Sequence, residues 1–144
     1  FIKESLAIIM YLENKFPENA LIVGAPEEKG HDIDLERITD LRIAVPMGGY
    51  AHATKSPLGL PADPERAAVL KSSMQSPLDY LEGLMADDRP LLTGAKISVA
   101  DCTLQASLQF IRFVEGDVLG DRPRLCAWDE RYRKRPAAQA VLKW

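Results

Sequence analysis

Cysteine and histidine are scarce in this 144-residue chain, with two of each. Cys102 and Cys126 lie far apart without a CxxC pair, and His31 and His52 share no short spacing. With no HExxH and no cluster of Cys and His, the sequence offers no metal site. In a chain with 47% hydrophobic residues, the two thiols are expected to be reduced and buried, not part of a disulfide framework. Glycine-rich phosphate loops, Rossmann glycine patterns and GxSxG are also missing, which excludes the commonest nucleotide-binding and serine-hydrolase signatures. Long apolar runs are lacking as well. Near the start the longest is Leu6 to Met10, far too short to span a bilayer, and no signal-peptide charge pattern precedes it. The chain opens at Phe1, not Met, so targeting is read here without a natural start. An excess of positive charge is absent too. The net charge is -3, which removes the simplest argument for a nucleic-acid partner.

The composition that remains suits one helical domain with its own core. Charge is unevenly placed. Residues 1–40 hold Lys3, Lys15, Lys29 and Arg37 against nine acidic residues. Residues 122–135 reverse this with Arg122, Arg124, Arg131, Arg133, Lys134 and Arg135. The basic end is expected to be a solvated helix face.

Apolar spacing predicts helices throughout. Phe1 and Ile2 read as the tail of a strand. Glu4 and Ser5 open a well-buried helix that ends near Lys15 and is stopped by Pro17. Residues 17–31, with Gly24, Pro26 and Gly30, read as a linker. Asp32 or Asp34 then caps a second helix with the stripe Leu35, Ile38, Leu41 and Val45, which Pro46, Gly48 and Gly49 bend or end. Residues 51–63 read as a long loop. Asp63-Pro64 is a strong helix start, followed by Leu70, Met74, Leu78, Leu81 and Met85, with a kink at Pro77. Ser98 at N-cap and Asp101 at N3 form a reciprocal structural cap. The helix beyond them, apolar at Leu104, Leu108 and Ile111 and widened by Cys102, Ala106, Phe110 and Phe113, is expected to be central. Leu125, Trp128 and Tyr132 mark a further helix. After Pro136 another runs towards Trp144. Six helices in all are expected, five of them after the first.

Three segments, in order, resemble one family. Glu4, Ser5, Ala7, Ile8, Tyr11 and Leu12 are similar to the end of the thioredoxin-like domain of cytosolic glutathione S-transferases. Gly94 to Asp101 resembles the capping box before the central helix of that family's second domain. Trp128, Arg131, Arg135 and Pro136 make a weaker third match. The resemblance implies an all-α fold for this chain, a transferase C-terminal-type helical bundle preceded by the last helix of a thioredoxin-like α/β domain. The implied divisions are residues 1–16 for that remnant, 17–31 for an interdomain linker and 32–144 for the helical domain.

For function, the resemblance speaks of the whole protein. It implies a cytoplasmic, homodimeric detoxification enzyme that joins the thiolate of glutathione to a small hydrophobic electrophile, or cleaves a ring or ether with it. Neither metal, membrane nor nucleic acid takes part. The thiol-activating residue, whether Tyr, Ser or Cys, belongs to a segment outside this sequence, so no catalytic residue is assigned. Ser5 offers a hydroxyl at a helix start, where free backbone N–H groups and the positive helix end suit a carboxylate. A plain N-cap is the simpler role for it. Under the resemblance, Ser5 receives the γ-glutamyl carboxylate of glutathione and Glu4 pairs with its ammonium. Met47, Tyr50 and Phe110 are candidates for the second-substrate cleft by location, with Arg37 and His52 nearby in sequence. The competing class is a non-catalytic interaction module with a transferase-like helical domain.

Overall fold

Eight α-helices form within residues 1–142, the part of the chain that the computed structural model describes. They are α1 (Ser5–Lys15), α2 (Pro26–Thr39), α3 (Val45–Lys55), α4 (Pro64–Ser73), α5 (Gln75–Leu84), α6 (Val99–Phe113), α7 (Pro123–Arg133) and α8 (Pro136–Val141). No strand is present among the described residues. Phe1 and Ile2 are exposed coil, and Leu91 and Gly94 form an isolated bridge. The expected end of the last helix at Trp144 lies outside the described residues.

Two of the six expected helices are each divided, which makes eight. The first division is a π turn over Asp40–Ala44 between α2 and α3. Pro46 has no N–H to give the Arg42 carbonyl, and its ring would crowd that group in a regular α-helix. The wider turn avoids the conflict, and the Val45 N–H bonds to the Asp40 carbonyl five residues back. The turn also changes which residues point inward. Leu35, Thr39, Ile43, Met47 and Ala51 are buried, whereas Leu41 and Val45, expected in the stripe, are more than half exposed. The second division falls at Met74. Pro77 cannot donate to the Ser73 carbonyl, so the helix breaks one turn before the proline and not at it.

Other boundaries also move. α2 starts at Pro26, ahead of Asp32 and Asp34, and the Glu28 carboxylate caps it by accepting the Ala25 N–H at 2.8 Å. α3 continues through Gly48 and Gly49 to Lys55, so the loop shrinks to residues 56–63. Gly49 brings α4 close: a Cβ there would stand 3.1 Å from Leu70 Cδ1. Asp63 accepts the Arg66 N–H at 3.0 Å and starts α4.

The core gathers around α6, which packs against α2, the π turn and α3. Leu104, Leu108 and Ile111 meet Met74, Leu78, Leu81, Leu125 and Trp128 in one apolar cluster. Each such side chain stabilises the fold by about 1.5–3 kcal/mol relative to exposure. Ala106 and Phe110 lie on the outer side of α6, which narrows the expected apolar arc. The basic end is only partly a solvated face. Arg122 is buried, pairs with Asp79 and donates to the Leu119 carbonyl at 2.9 Å. Arg112 and Gln105 of α6 both donate to Asp129 of α7.

Candidate functional site

The start of α1 is an uncapped helix end. Glu4 holds the N-cap position with extended backbone, and its side chain makes no capping bond. Its carbonyl accepts the Ile8 N–H at 3.0 Å, so the amides of Ser5, Leu6 and Ala7 precede the first intrahelical bond and have no partner within the helix. Ser5 is therefore the first helical residue and not the cap. Both Glu4 and Ser5 are exposed. The end of the helix thus offers N–H donors, a positive helix dipole and a free hydroxyl, with a free carboxylate one residue away. Such a set can hold a carboxylate and an ammonium side by side.

α1 itself is not the well-buried helix its apolar content predicts, because none of its residues is buried. Ile8, Tyr11, Leu12 and Phe16 stay 39–47% exposed along one side. Glu13 ties the helix to the segment beyond it. That carboxylate accepts the Leu21 N–H at 3.0 Å and the Ile22 N–H at 2.7 Å. Nothing in the local sequence pattern announces this clamp, since its partners are backbone groups.

The three cleft candidates are not gathered into one surface. Met47 is fully buried in the core and presents nothing to a ligand, because the π turn rotates it inward. Tyr50 is half-buried beside a cavity of about 420 Å³ between α3 and α4, which Phe110 does not line. Phe110 is half-exposed on α6. Of the neighbours, His52 shares a hydrogen bond with Ser56 Oγ at 2.9 Å, and Arg37 pairs with Asp40 at 2.9 Å. Burial raises the pKa of Glu36 above the usual carboxylate range, the Asp40 charge adds to this, and Arg37 opposes it.

The cap at the head of α6 is deeply set. Ser98 Oγ accepts the Asp101 N–H at 3.2 Å. Asp101 Oδ2 accepts the Ser98 N–H at 2.9 Å and the Ser98 hydroxyl at 2.6 Å. Its Oδ1 accepts the Leu92 N–H at 3.0 Å and the Trp128 indole N–H at 2.7 Å. Asp101 is fully buried, so this carboxylate joins the 89–97 loop, α6 and α7. Both cysteines are free and half-buried. Tyr132 donates to Cys102 Sγ at 3.6 Å, and its hydroxyl pKa is raised, first by burial and then by that bond. Among the described residues no group of three or more His, Cys, Asp or Glu is placed to hold a metal ion. No described helix is long and apolar enough to cross a membrane.

The sequence profile of the glutathione S-transferase C-terminal domain matches residues 40–136. Bovine glutathione S-transferase theta-1 is 35% identical over 74 residues, which is 51% of this chain and 31% of that protein. Glutathione S-transferase 2 of Saccharomyces cerevisiae is 26% identical over 146 aligned residues, 99% of this chain and 62% of that protein. A crystal structure of a glutathione S-transferase domain-containing protein from Marinobacter aquaeolei VT8 superposes with a TM-score of 0.79 at 28% identity. It covers 95% of this chain and 68% of that one. The chain therefore spans less than two thirds of the length of the curated relatives it matches.

Proposed function

The chain belongs to the glutathione S-transferase family through that family's C-terminal domain, and on this premise we propose that it is the helical portion of a glutathione transferase whose α1 start receives the γ-glutamyl end of glutathione. The observation that carries the reading is the uncapped helix end with Ser5 as its first residue. The γ-glutamyl carboxylate accepts from the free amides and from Ser5 Oγ, and its ammonium pairs with Glu4. Neither side chain has a competing internal bond to break. The glutathione thiolate then attacks an electrophilic carbon of a small hydrophobic molecule. A carbon–sulfur bond forms and the leaving group departs with its electron pair. No residue of this chain is given the task of activating the thiol. Tyr50 is the cleft candidate that keeps accessible surface beside a cavity.

The same reading extends to a cytoplasmic homodimer engaged in detoxification. Supporting the dimer, Leu41 and Val45 are exposed and Gly48 has open space beyond it. Together with the apolar side of α1 they offer uncovered area towards the ~800 Å² per partner that a stable interface buries.

Ser5→Ala in the whole protein is the test. Deleting one charge-assisted hydrogen bond costs about 1.5–3 kcal/mol, so glutathione should bind at least about tenfold more weakly, tenfold being ~1.4 kcal/mol. The backbone donors persist, so binding weakens without vanishing. Because Ser5 makes no capping bond, the thermal midpoint should stay at the parental value. Calorimetric titration with parent-like affinity in the folded variant would leave Ser5 a surface residue and favour the interaction-module reading.

A further inference from the structure

Residues 21–24, the first half of α2, the end of α5 and the 89–97 loop enclose a cavity of about 790 Å³. That lies within the ~300–1,000 Å³ typical of small-molecule sites. Neither Glu4 nor Ser5 lines it, so it is separate from the glutathione site proposed at α1. Its floor is apolar. Leu35 and Leu92 are buried there, with Leu84 and Ile97 half-buried beside them.

Charge around the rim is unbalanced. α2 contributes Glu28, Asp32 and Asp34, and the loop contributes Arg89 and Lys96. Arg89 is already neutralised. Its guanidinium donates to both oxygens of Asp87, each at 2.8 Å, and Asp87 lies outside the cavity. Lys96 and the His31 imidazole are left against three carboxylates, of which Glu28 already accepts the Ala25 N–H while Asp32 and Asp34 have no cationic side chain bonded to them among the described residues. Behind the floor sits Asp101, held by N–H and O–H donors that include Leu92 N–H. No ion pair to Asp101 is present among the described residues. Burial first, then the charges of Glu28 and Asp101, raise the pKa of Asp32 above the ordinary carboxylate range, and the neighbouring His31 opposes this only in part. A positive charge beside Asp32 would relieve this crowding of like charges, and the half-exposed ring of Tyr80 on the rim offers a π face to the same cation.

We propose that this cavity binds a small organic cation with an apolar body, its ammonium group against Asp32 and its apolar part on Leu35, Leu84, Leu92 and Ile97. The amino group selects the acidic wall, and the apolar floor excludes small hydrated metal ions.

The test titrates the intact protein with three probes of one shape: 2-naphthylmethylammonium, 2-naphthylmethanol and 2-naphthylacetate. Calorimetry gives affinities, and amide chemical shifts locate the site. The ammonium should bind at least tenfold tighter than the alcohol, and the carboxylate more weakly than either, with the largest shifts at Asp32 and Leu92. Asp32→Asn should weaken the ammonium at least fivefold and leave the alcohol unchanged. Thr93→Trp, a bulky replacement on the cavity wall, should weaken both. Equal affinities for ammonium and alcohol would overturn the proposal. So would a folded Asp32→Asn variant with parental ammonium affinity, displacement of the ammonium by glutathione, or shifts confined to α1. The glutathione reading stands or falls separately, on Ser5→Ala.

Discussion

Replacing Asp101 with Asn changes one atom of a buried side chain and should nearly unfold a marginal protein. The parental carboxylate accepts four hydrogen bonds, two on each oxygen. In the variant one oxygen remains for Leu92 N–H and Trp128 Nε1–H, now without the negative charge. The loss is roughly 1 kcal/mol on each bond, the difference between charged and neutral acceptors. The other position becomes NH₂ and faces the Ser98 N–H, donor against donor. The Ser98 hydroxyl can reverse and accept, but the backbone N–H cannot. A buried orphan donor costs about 1–3 kcal/mol. Turning the amide the other way orphans Leu92 and Trp128 instead. The sum is about 3–5 kcal/mol, against a total stability of about 5–15 kcal/mol for an ordinary domain. Urea unfolding followed by circular dichroism should show a lower midpoint with an unchanged slope. Ser98→Ala removes one accepted and one donated bond, keeps its own N–H bond to Asp101, and should cost only about 1–2 kcal/mol. A midpoint for Asp101→Asn within about 1 kcal/mol of the parent, or below the loss in Ser98→Ala, would refute the idea that the four-donor carboxylate holds the head of α6.

Three further outcomes are expected from the fold. Glu36→Gln should stabilise the protein at neutral pH and leave it unchanged in acid. A carboxyl whose folded pKa is raised favours the folded state below its unfolded value near 4.5, and that stability is lost as pH rises through the folded pKa; denaturant midpoints at pH 4 and pH 7.5 check the difference. Gly48→Ala, with open space around the new methyl, should add up to about 1 kcal/mol through helix propensity. Gly49→Ala must move Leu70 and should gain less than Gly48→Ala in the same thermal melts.

The helical class and the start of α1 at Ser5 were legible because each rests on local chemistry. Ser98 and Asp101 satisfy each other within one turn, so their spacing alone carries the cap. The Asp63-Pro64 start is equally local. What could not be read depends on distant partners. The inward rotation of Met47 results from a π turn, and 3.6-residue spacing assumes that no such turn exists. Glu13 reaches Leu21 and Ile22, and Trp128 reaches Asp101, through bonds that leave no spacing rule behind. Residues 17–31 read as a linker because of their Gly and Pro. A helix begins within them at Pro26, and its acidic face walls a cavity whose other side is more than fifty residues further along the chain.

The wide turn at Asp40–Ala44 has a consequence for insertions and deletions. An α-helix advances about 100° per residue. Twelve residues of uninterrupted α-helix would set Met47 about 120° around the axis from Leu35, yet both are core residues. Eleven residues would leave them about 20° apart. The long α2–α3 path therefore carries one residue more than a straight helix between these two anchors needs, and the π turn stores the surplus. A homologue lacking one residue here, and lacking Pro46, keeps the same inward positions on a regular α-helix. The same deletion one turn further on would turn Ala51 and the residues after it out of the core. Alignments of this family across the segment should accordingly admit a one-residue gap within Asp40–Ala44 and nowhere else along these two helices.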